Sequence, residues 1–224
     1  MGEALSAVDE TKGALQALDD GKTQDALAAL ERASGKLDII LARDPRLALA
    51  PMAVGAMTYD VYATPEAVKA ASRQAQADLA SGDVQDARMI LAGLASETVI
   101  SVTNIPLATY PEAIKQAAGL IDQGKTEEAK QSLQAALDTL VITHTVVPLP
   151  VVVSQQLLSE AETLAAKKDR TADENKRLSV LLDNAHQEIA MAEALGYSTR
   201  KDFDSFNKEL ASIEDIAAAL QWLL

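Results

Sequence analysis

Two histidines, no cysteine and a scatter of hydroxyl residues bound the chemistry this chain could perform. Without a thiol, a disulfide framework, a thiolate metal site and a cysteine nucleophile are all excluded. Two histidines cannot form a three-histidine zinc site, and a mixed Glu and His set would need the fold to bring His144 and His186 together. His186 has Asp183 three residues before it and Glu193 seven after it, a weak pattern, so both histidines read first as ordinary polar residues. The sharper reading of His144 is a pH sensor, because Thr143-His144-Thr145 sits inside a β-branched run beside a proline. A serine nucleophile lacks its elbow, since no G-x-S-x-G occurs. Residues 119–126, Gly-Leu-Ile-Asp-Gln-Gly-Lys-Thr, have the spacing of a phosphate-binding loop, but the sister turns at Gly21 and Gly82 occupy the same position without that motif, and a turn is the simpler reading. No catalytic centre, metal or cofactor is expected.

Binding chemistry has more to work with. Aromatic residues make up only 3% of the chain, yet Tyr59, Tyr62 and Tyr110 all lie beside proline-bounded connections. Their rings either anchor those connections over a core or line a groove for peptides or small amphipathic ligands. Residues 146–153 form an apolar run broken by Pro148 and Pro150. Buried, that run is a wrap around the core; exposed, it is a patch for sticky partners.

Net charge narrows the partners further. With 20 basic and 33 acidic residues the formal charge is -13, which repels phosphate backbones and anionic lipid heads. The densest basic cluster, Lys167, Lys168 and Arg170, is interrupted by Asp169, so nucleic acid is not an expected partner. Falling pH would strip most of this charge and its self-repulsion. No apolar stretch approaches the roughly 20 residues of a membrane-spanning helix, so no membrane insertion is expected. Met1-Gly2 runs straight into an amphipathic pattern with no basic or apolar leader regions, which reads as an artificial start consistent with a removed export signal.

The elements that would position these residues repeat. Leu18-Asp19-Asp20-Gly21-Lys22-Thr23-Gln24-Asp25-Ala26, Leu79-Ala80-Ser81-Gly82-Asp83-Val84-Gln85-Asp86-Ala87 and Ile121-Asp122-Gln123-Gly124-Lys125-Thr126-Glu127-Glu128-Ala129 share one grammar of helix end, glycine turn and helix start. Glycine supplies the left-handed position after each first helix, and Thr23, Asp83 or Thr126 is placed to cap the second. A proline follows each glycine 24 residues later, at Pro45, Pro106 and Pro148. Apolar positions such as Ala129, Leu133, Ala136, Leu137, Leu140 and Val141 fall on one helical stripe. Residues 99–103 and 141–147 are β-branched runs; they either pair as a short ribbon or extend the preceding helix by a turn.

Two helix starts match, at Thr64-Pro65-Glu66 and Tyr110-Pro111-Glu112, where proline presets φ at the first helical position. Thr171-Ala172-Asp173-Glu174 is a capping box. These features predict a mainly α fold, a bundle of antiparallel helix hairpins over residues 1–196 with extended, proline-bounded connectors. A last helix within 197–224 carries Phe203, Phe206, Leu210, Ile213, Ala217, Leu220 and Leu224 at coiled-coil spacing, for packing or self-association.

Offsets of 61 and 42 residues between the turns do not fit the tetratricopeptide period. Along roughly residues 5–197 the chain resembles the YfdX family of small bacterial proteins. The residues carrying this are Tyr59-Asp60-Val61-Tyr62-Ala63-Thr64-Pro65-Glu66-Ala67, Thr103-Asn104-Ile105-Pro106-Leu107-Ala108-Thr109-Tyr110-Pro111, the Gly124-Lys125-Thr126-Glu127-Glu128-Ala129 turn, and Thr145-Val146-Val147-Pro148-Leu149-Pro150. The resemblance implies an exported, periplasmic, mainly helical protein that forms homo-oligomers and is linked to stress, acid stress included, with no established enzymatic activity. Together these readings predict a non-enzymatic acid-stress chaperone for non-native or amphipathic partners; the alternative is a helical scaffold for a small ligand or peptide. The candidate binding residues are Tyr59, Tyr62, Asn104, Tyr110, His144, Val147, Pro148 and Leu149.

Overall fold

The computed structural model describes residues 1–197 and 204–221, with residues 217–221 given by backbone alone. Three helix–helix–strand repeats come first: α1 (Gly2–Asp19), α2 (Thr23–Arg43) and β1 (Leu49–Tyr59); α3 (Pro65–Ser81), α4 (Val84–Ala92) and β2 (Glu97–Pro106); α5 (Tyr110–Asp122), α6 (Thr126–Asp138) and β3 (Val141–Pro148). Then come α7 (Leu149–Ala165), α8 (Ala172–Leu195) and α9 (Asp204–Gln221). The fold is mainly α, as predicted, with the ribbon present as a three-stranded sheet in the order β1-β2-β3.

Each hairpin turns on the same backbone device. Gly21, Gly82 and Gly124 have φ of 72°, 86° and 74°, a region that costs a residue with a Cβ about 1–2 kcal/mol. The residue after each glycine donates its N–H back to the closing turn of the first helix: Lys22 to Ala17 O (2.8 Å), Asp83 to Asp78 O (2.8 Å) and Lys125 to Leu120 O (2.9 Å). The glycine's own N–H bonds one carbonyl further on, completing a Schellman motif. This geometry corrects the capping assignment. Lys22 and Lys125 are the N-caps, Thr23 and Thr126 are already helical, and Asp83 caps by backbone position without a side-chain bond. The chain leaves the Schellman turn so directly into the next helix that threonine arrives one residue late. At the other starts Thr64 Oγ1 accepts from Ala67 N (3.3 Å) ahead of Pro65, and the Thr171–Glu174 capping box closes in both directions.

Two compact units form. The first holds residues 1–56 and 100–145, the second 57–99 and 146–224; the boundary expected at residue 196 lies inside the second. In the first unit α1, α2, α5 and α6 pack as a four-helix bundle, with α1 against α2 and α6, and α5 against α2 and α6. The core facing is rich in alanine: Ala4, Ala7, Ala14, Ala26, Ala29, Ala33, Ala117, Ala129 and Ala136 alternate with Leu18, Leu30, Leu37, Ile114 and Leu133. Small residues let helix axes approach while the larger side chains fill the grooves between ridges. In the second unit α8 packs on α3 and α7, and α9 on α7 and α8, around Leu158, Leu178, Leu182, Ile189, Leu210 and Ile213. Leu210 and Ile213 are therefore core residues; Phe203, Ala217, Leu220 and Leu224 of the expected seam lie outside the described side chains.

Residue pairings fix the sheet direction. Ala48 and Leu107, then Thr58 and Thr98, pair in opposite sequence order, as do Ser101 with His144 and Asn104 with Val141. Both strand pairs are antiparallel. Apart from Glu97 at the start of β2, each strand lies in a run free of Asp, Glu, Lys and Arg, residues 47–59, 98–111 and 139–159, the three longest such runs in the chain. α6 ends at Asp138, so Leu140 and Val141 leave the helical stripe assigned to them and the β-branched run becomes β3. Copy one differs: its helix continues to Arg43 because Leu37 and Ile40 keep the helical register, and Pro45 ends a helix where Pro106 and Pro148 end strands.

Candidate functional site

In the second unit, four separate stretches of chain meet at Ser96, which is 4% exposed. Its hydroxyl donates to Asp60 Oδ1 at 2.7 Å, its N–H donates to the Tyr197 hydroxyl oxygen at 2.7 Å, and its carbonyl accepts from Leu149 N at 2.9 Å. The residue just before β2 thereby holds the residue after β1, the start of α7 and the second residue after α8. Burial is the main reason the Tyr197 phenol is pushed up to about 12, so it stays protonated. Gly196, at φ 76°, makes a fourth Schellman turn that delivers Tyr197 there.

Beside this junction a cleft of 380 Å³ opens between the start of α3, at Ala63, Thr64, Pro65 and Glu66, and the face of α8 carrying His186, Gln187, Glu188, Ala190 and Met191. Burial raises the Glu188 carboxyl above its ordinary range, and the negative charge of Asp60 adds to the effect. His186 Nε2 lies 3.3 Å from Glu214 Oε1, tying α8 to α9. Chemically the cleft offers two carboxylates, an imidazole and the Thr64 hydroxyl, whose oxygen caps α3; the Ser96 hydroxyl is committed to Asp60 and sealed from solvent. Among the described residues no group of three His, Cys, Asp or Glu side chains could hold a metal ion.

The sequence-derived candidates do not converge. Tyr110 anchors the first unit: it is fully buried in α5, and its hydroxyl approaches Thr11 of α1 without making a hydrogen bond of good geometry. Burial raises its pKa. Tyr62 is the opposite case, 95% exposed, so it anchors nothing within the chain. Tyr59, 46% exposed, donates its hydroxyl to Met57 Sδ. Asn104 is buried and holds β2 to β3, its Nδ2 donating to Val102 O (2.8 Å), Val141 O (3.2 Å) and Thr143 Oγ1 (3.2 Å). His144 is exposed on β3 with Nδ1 2.9 Å from Ser101 Oγ. In a hydrolytic triad Nε2 bonds the serine and Nδ1 faces a carboxylate; here Nδ1 faces the serine, and the pair ties β2 to β3. Residues 146–153 do not form one wrap: Val146 is exposed, Val147, Pro148 and Leu149 are half-buried, and Pro150 is buried within the first turn of α7.

Sequence reasoning misses Ser96, Asp60, Glu188 and Tyr197. Asp60 lies within the Tyr59 to Ala67 string, which was the available signal; nothing local marks Ser96, whose three partners lie 36, 53 and 101 residues away.

These repeats place the chain in a family of helix–helix–strand proteins. A family model described as YfdX protein matches residues 7–146, and the chain belongs to the YfdX family. The match covers the three repeats and stops short of the residue 197 expected from the resemblance. The chain is similar to a solved structure of YfdX from Salmonella Typhi, at 19% identity and a TM-score of 0.46, over 66% of this chain and 92% of that one. No curated protein matches it. Among the described residues no helix is long and apolar enough to cross a membrane.

Proposed function

We propose that this chain is a non-enzymatic stress-protection protein, working in the periplasm as a homo-oligomer that holds non-native or amphipathic partners. The observation that supports this is the exposure of the charge-free strands: residues 53–59 of β1 and 141–146 of β3 are open to solvent, with Val54, Met57, Ile142 and Val146 among them. Apolar strand surface of this kind is normally buried or blunted by charge. Acid enters through the carboxylates. As pH falls, neutralisation of a chain of charge -13 weakens repulsion from partners and loosens ion-paired contacts. The test is light scattering of an aggregating client with equimolar protein at pH 3 to 5 and at pH 7. Suppression that strengthens in acid supports the proposal, and no suppression at any pH removes it.

The second reading is a small-ligand scaffold, favoured by the cleft between α3 and α8. Its carboxylates suit a cationic ligand such as an amine. Calorimetric titration with amines decides between the two: saturable binding lost in Glu188→Gln would establish the scaffold reading.

A further inference from the structure

We propose that the α3–α4 hairpin is a docking surface for an amphipathic helix of another protein, one that carries basic residues beside its apolar stripe. The surface is separate from the exposed strands, and its occupancy requires no acid. Counted from the turn glycine, the residue three before is Leu18, Leu79 or Ile121, and the residue nine after is Leu30, Leu91 or Leu133. In the first and third hairpins all four of these residues are at most 5% exposed and belong to one core. In the second, Leu79 is 50% and Leu91 48% exposed. The registers agree elsewhere. Ala14, Ala75 and Ala117, seven before the glycine, and Ala26, Ala87 and Ala129, five after it, are buried in all three hairpins.

What the second hairpin lacks is a helix to pack on. α2 lies against α1 and α5, and α6 against α5 and α1, whereas α4 lies mainly against α3. Val84, Ala87 and Leu91 form a stripe on α4 at helical spacing, and Val84 and Leu91 are exposed. Side chains at these positions make the ridges that sit in the grooves of a facing helix.

The charge of the occupant follows from the turn. After the glycine the sister hairpins have Lys22 and Lys125; here the residue is Asp83. Asp78 and Asp83 are the chain neighbours of Leu79 and Val84, Asp86 follows within the first turn of α4, and residues 74–87 hold no Lys or Arg. Where two hairpins do pack together, Lys130 of α6 reaches Asp19 at the end of α1, 3.0 Å away, so the turns lie at the same end and a cation closes the contact. A second copy docked in that way would set its own three aspartates against these, which like-charge repulsion opposes. A helix bearing Lys or Arg supplies the missing cation.

Fluorescence anisotropy with synthetic helical peptides of about 18 residues, ~27 Å long, tests this. One peptide has leucines spaced three and four apart with lysines flanking the stripe, the second has glutamate for each lysine, and the third is a scramble of the first. The lysine peptide is expected to bind saturably, and the other two at least about tenfold more weakly. Leu79→Gln together with Leu91→Gln, both at exposed positions, should weaken the lysine peptide by more than about tenfold. Asp83→Asn with Asp86→Asn should weaken it and flatten its salt dependence, and Ile39→Gln, exposed on α2, should leave it unchanged. No binding, equal binding of the scramble, or binding untouched by the leucine pair overturns the proposal. Equal binding of the glutamate peptide overturns the basic partner. Self-association in sedimentation that the leucine pair abolishes overturns it in favour of a second copy.

Discussion

The Ser96 hydroxyl reaches across 36 residues of sequence to donate to Asp60 Oδ1 at 2.7 Å. Ser96 is buried and its backbone serves Tyr197 and Leu149 as well, so this one bond sits at a junction of elements that local sequence does not connect. Ser96→Ala is expected to lower unfolding stability by about 1–3 kcal/mol, the usual range for losing a charge-assisted hydrogen bond. A double-mutant cycle with Asp60→Ala, read by urea denaturation, should show the two losses to be strongly non-additive. Additive losses would mean the bond contributes nothing of its own.

The pH dependence of stability should show two carboxylates acting in opposite senses. Burial, then the charge of Asp60, raises the pKa of Glu188, so the native state takes up a proton before the unfolded chain does. Glu188→Gln is therefore expected to be more stable than wild type at pH 7. That advantage should fade as pH falls through the raised value, and be gone below the unfolded value of about 4.3. Glu174 is lowered to about 2, first by its hydrogen bond with Lys167 and then by the Thr171 backbone. Its contribution is present above about 4.3 and is lost as pH falls from there through about 2. Glu174→Gln should be the less stable protein at pH 7 and converge with wild type near pH 2, as measured by urea midpoints.

Glycine substitutions separate turn from helix. Gly82 has φ 86°, and Gly82→Ala is expected to cost about 1–2 kcal/mol although no neighbouring atom lies where its Cβ would go. Gly13 lies in α1 with the same open space. There the alanine variant should gain about 0.5–1 kcal/mol, since alanine loses less backbone freedom in a helix. Thermal melts of the pair should move in opposite directions.

Tyr110 is held for its ring. Tyr110→Phe removes a buried hydroxyl that lacks a hydrogen-bond partner and should be neutral or slightly stabilising. Tyr110→Ala should cost about 3–5 kcal/mol through the cavity left in the first unit. A large loss in Tyr110→Phe would show that the approach to Thr11 is a working hydrogen bond.

The hairpins were legible because their determinants are local. A left-handed glycine, a proline or capping residue at a helix start, and apolar residues at helical spacing each act within a turn or two of chain, and the turns at Gly21, Gly82 and Gly124 follow from them. β2 and β3 were half-legible, since β-branched residues admit a strand without requiring one. β1 was not legible: in residues 49–59 the strand formers Val54, Thr58 and Tyr59 are outweighed by alanine, Pro51, Gly55 and two methionines, and pairing with β2 makes the segment extended.

The chain's own residue order therefore determined the three repeats, their turns and the acidic, charge-segregated surface, because propensity, capping and net charge need no distant partner. Tertiary structure decided which hairpins share a core, that Tyr110 is buried while Tyr62 is bare, and that Ser96 gathers Asp60, Leu149 and Tyr197. Those outcomes depend on contacts between residues tens of positions apart, which local sequence does not specify.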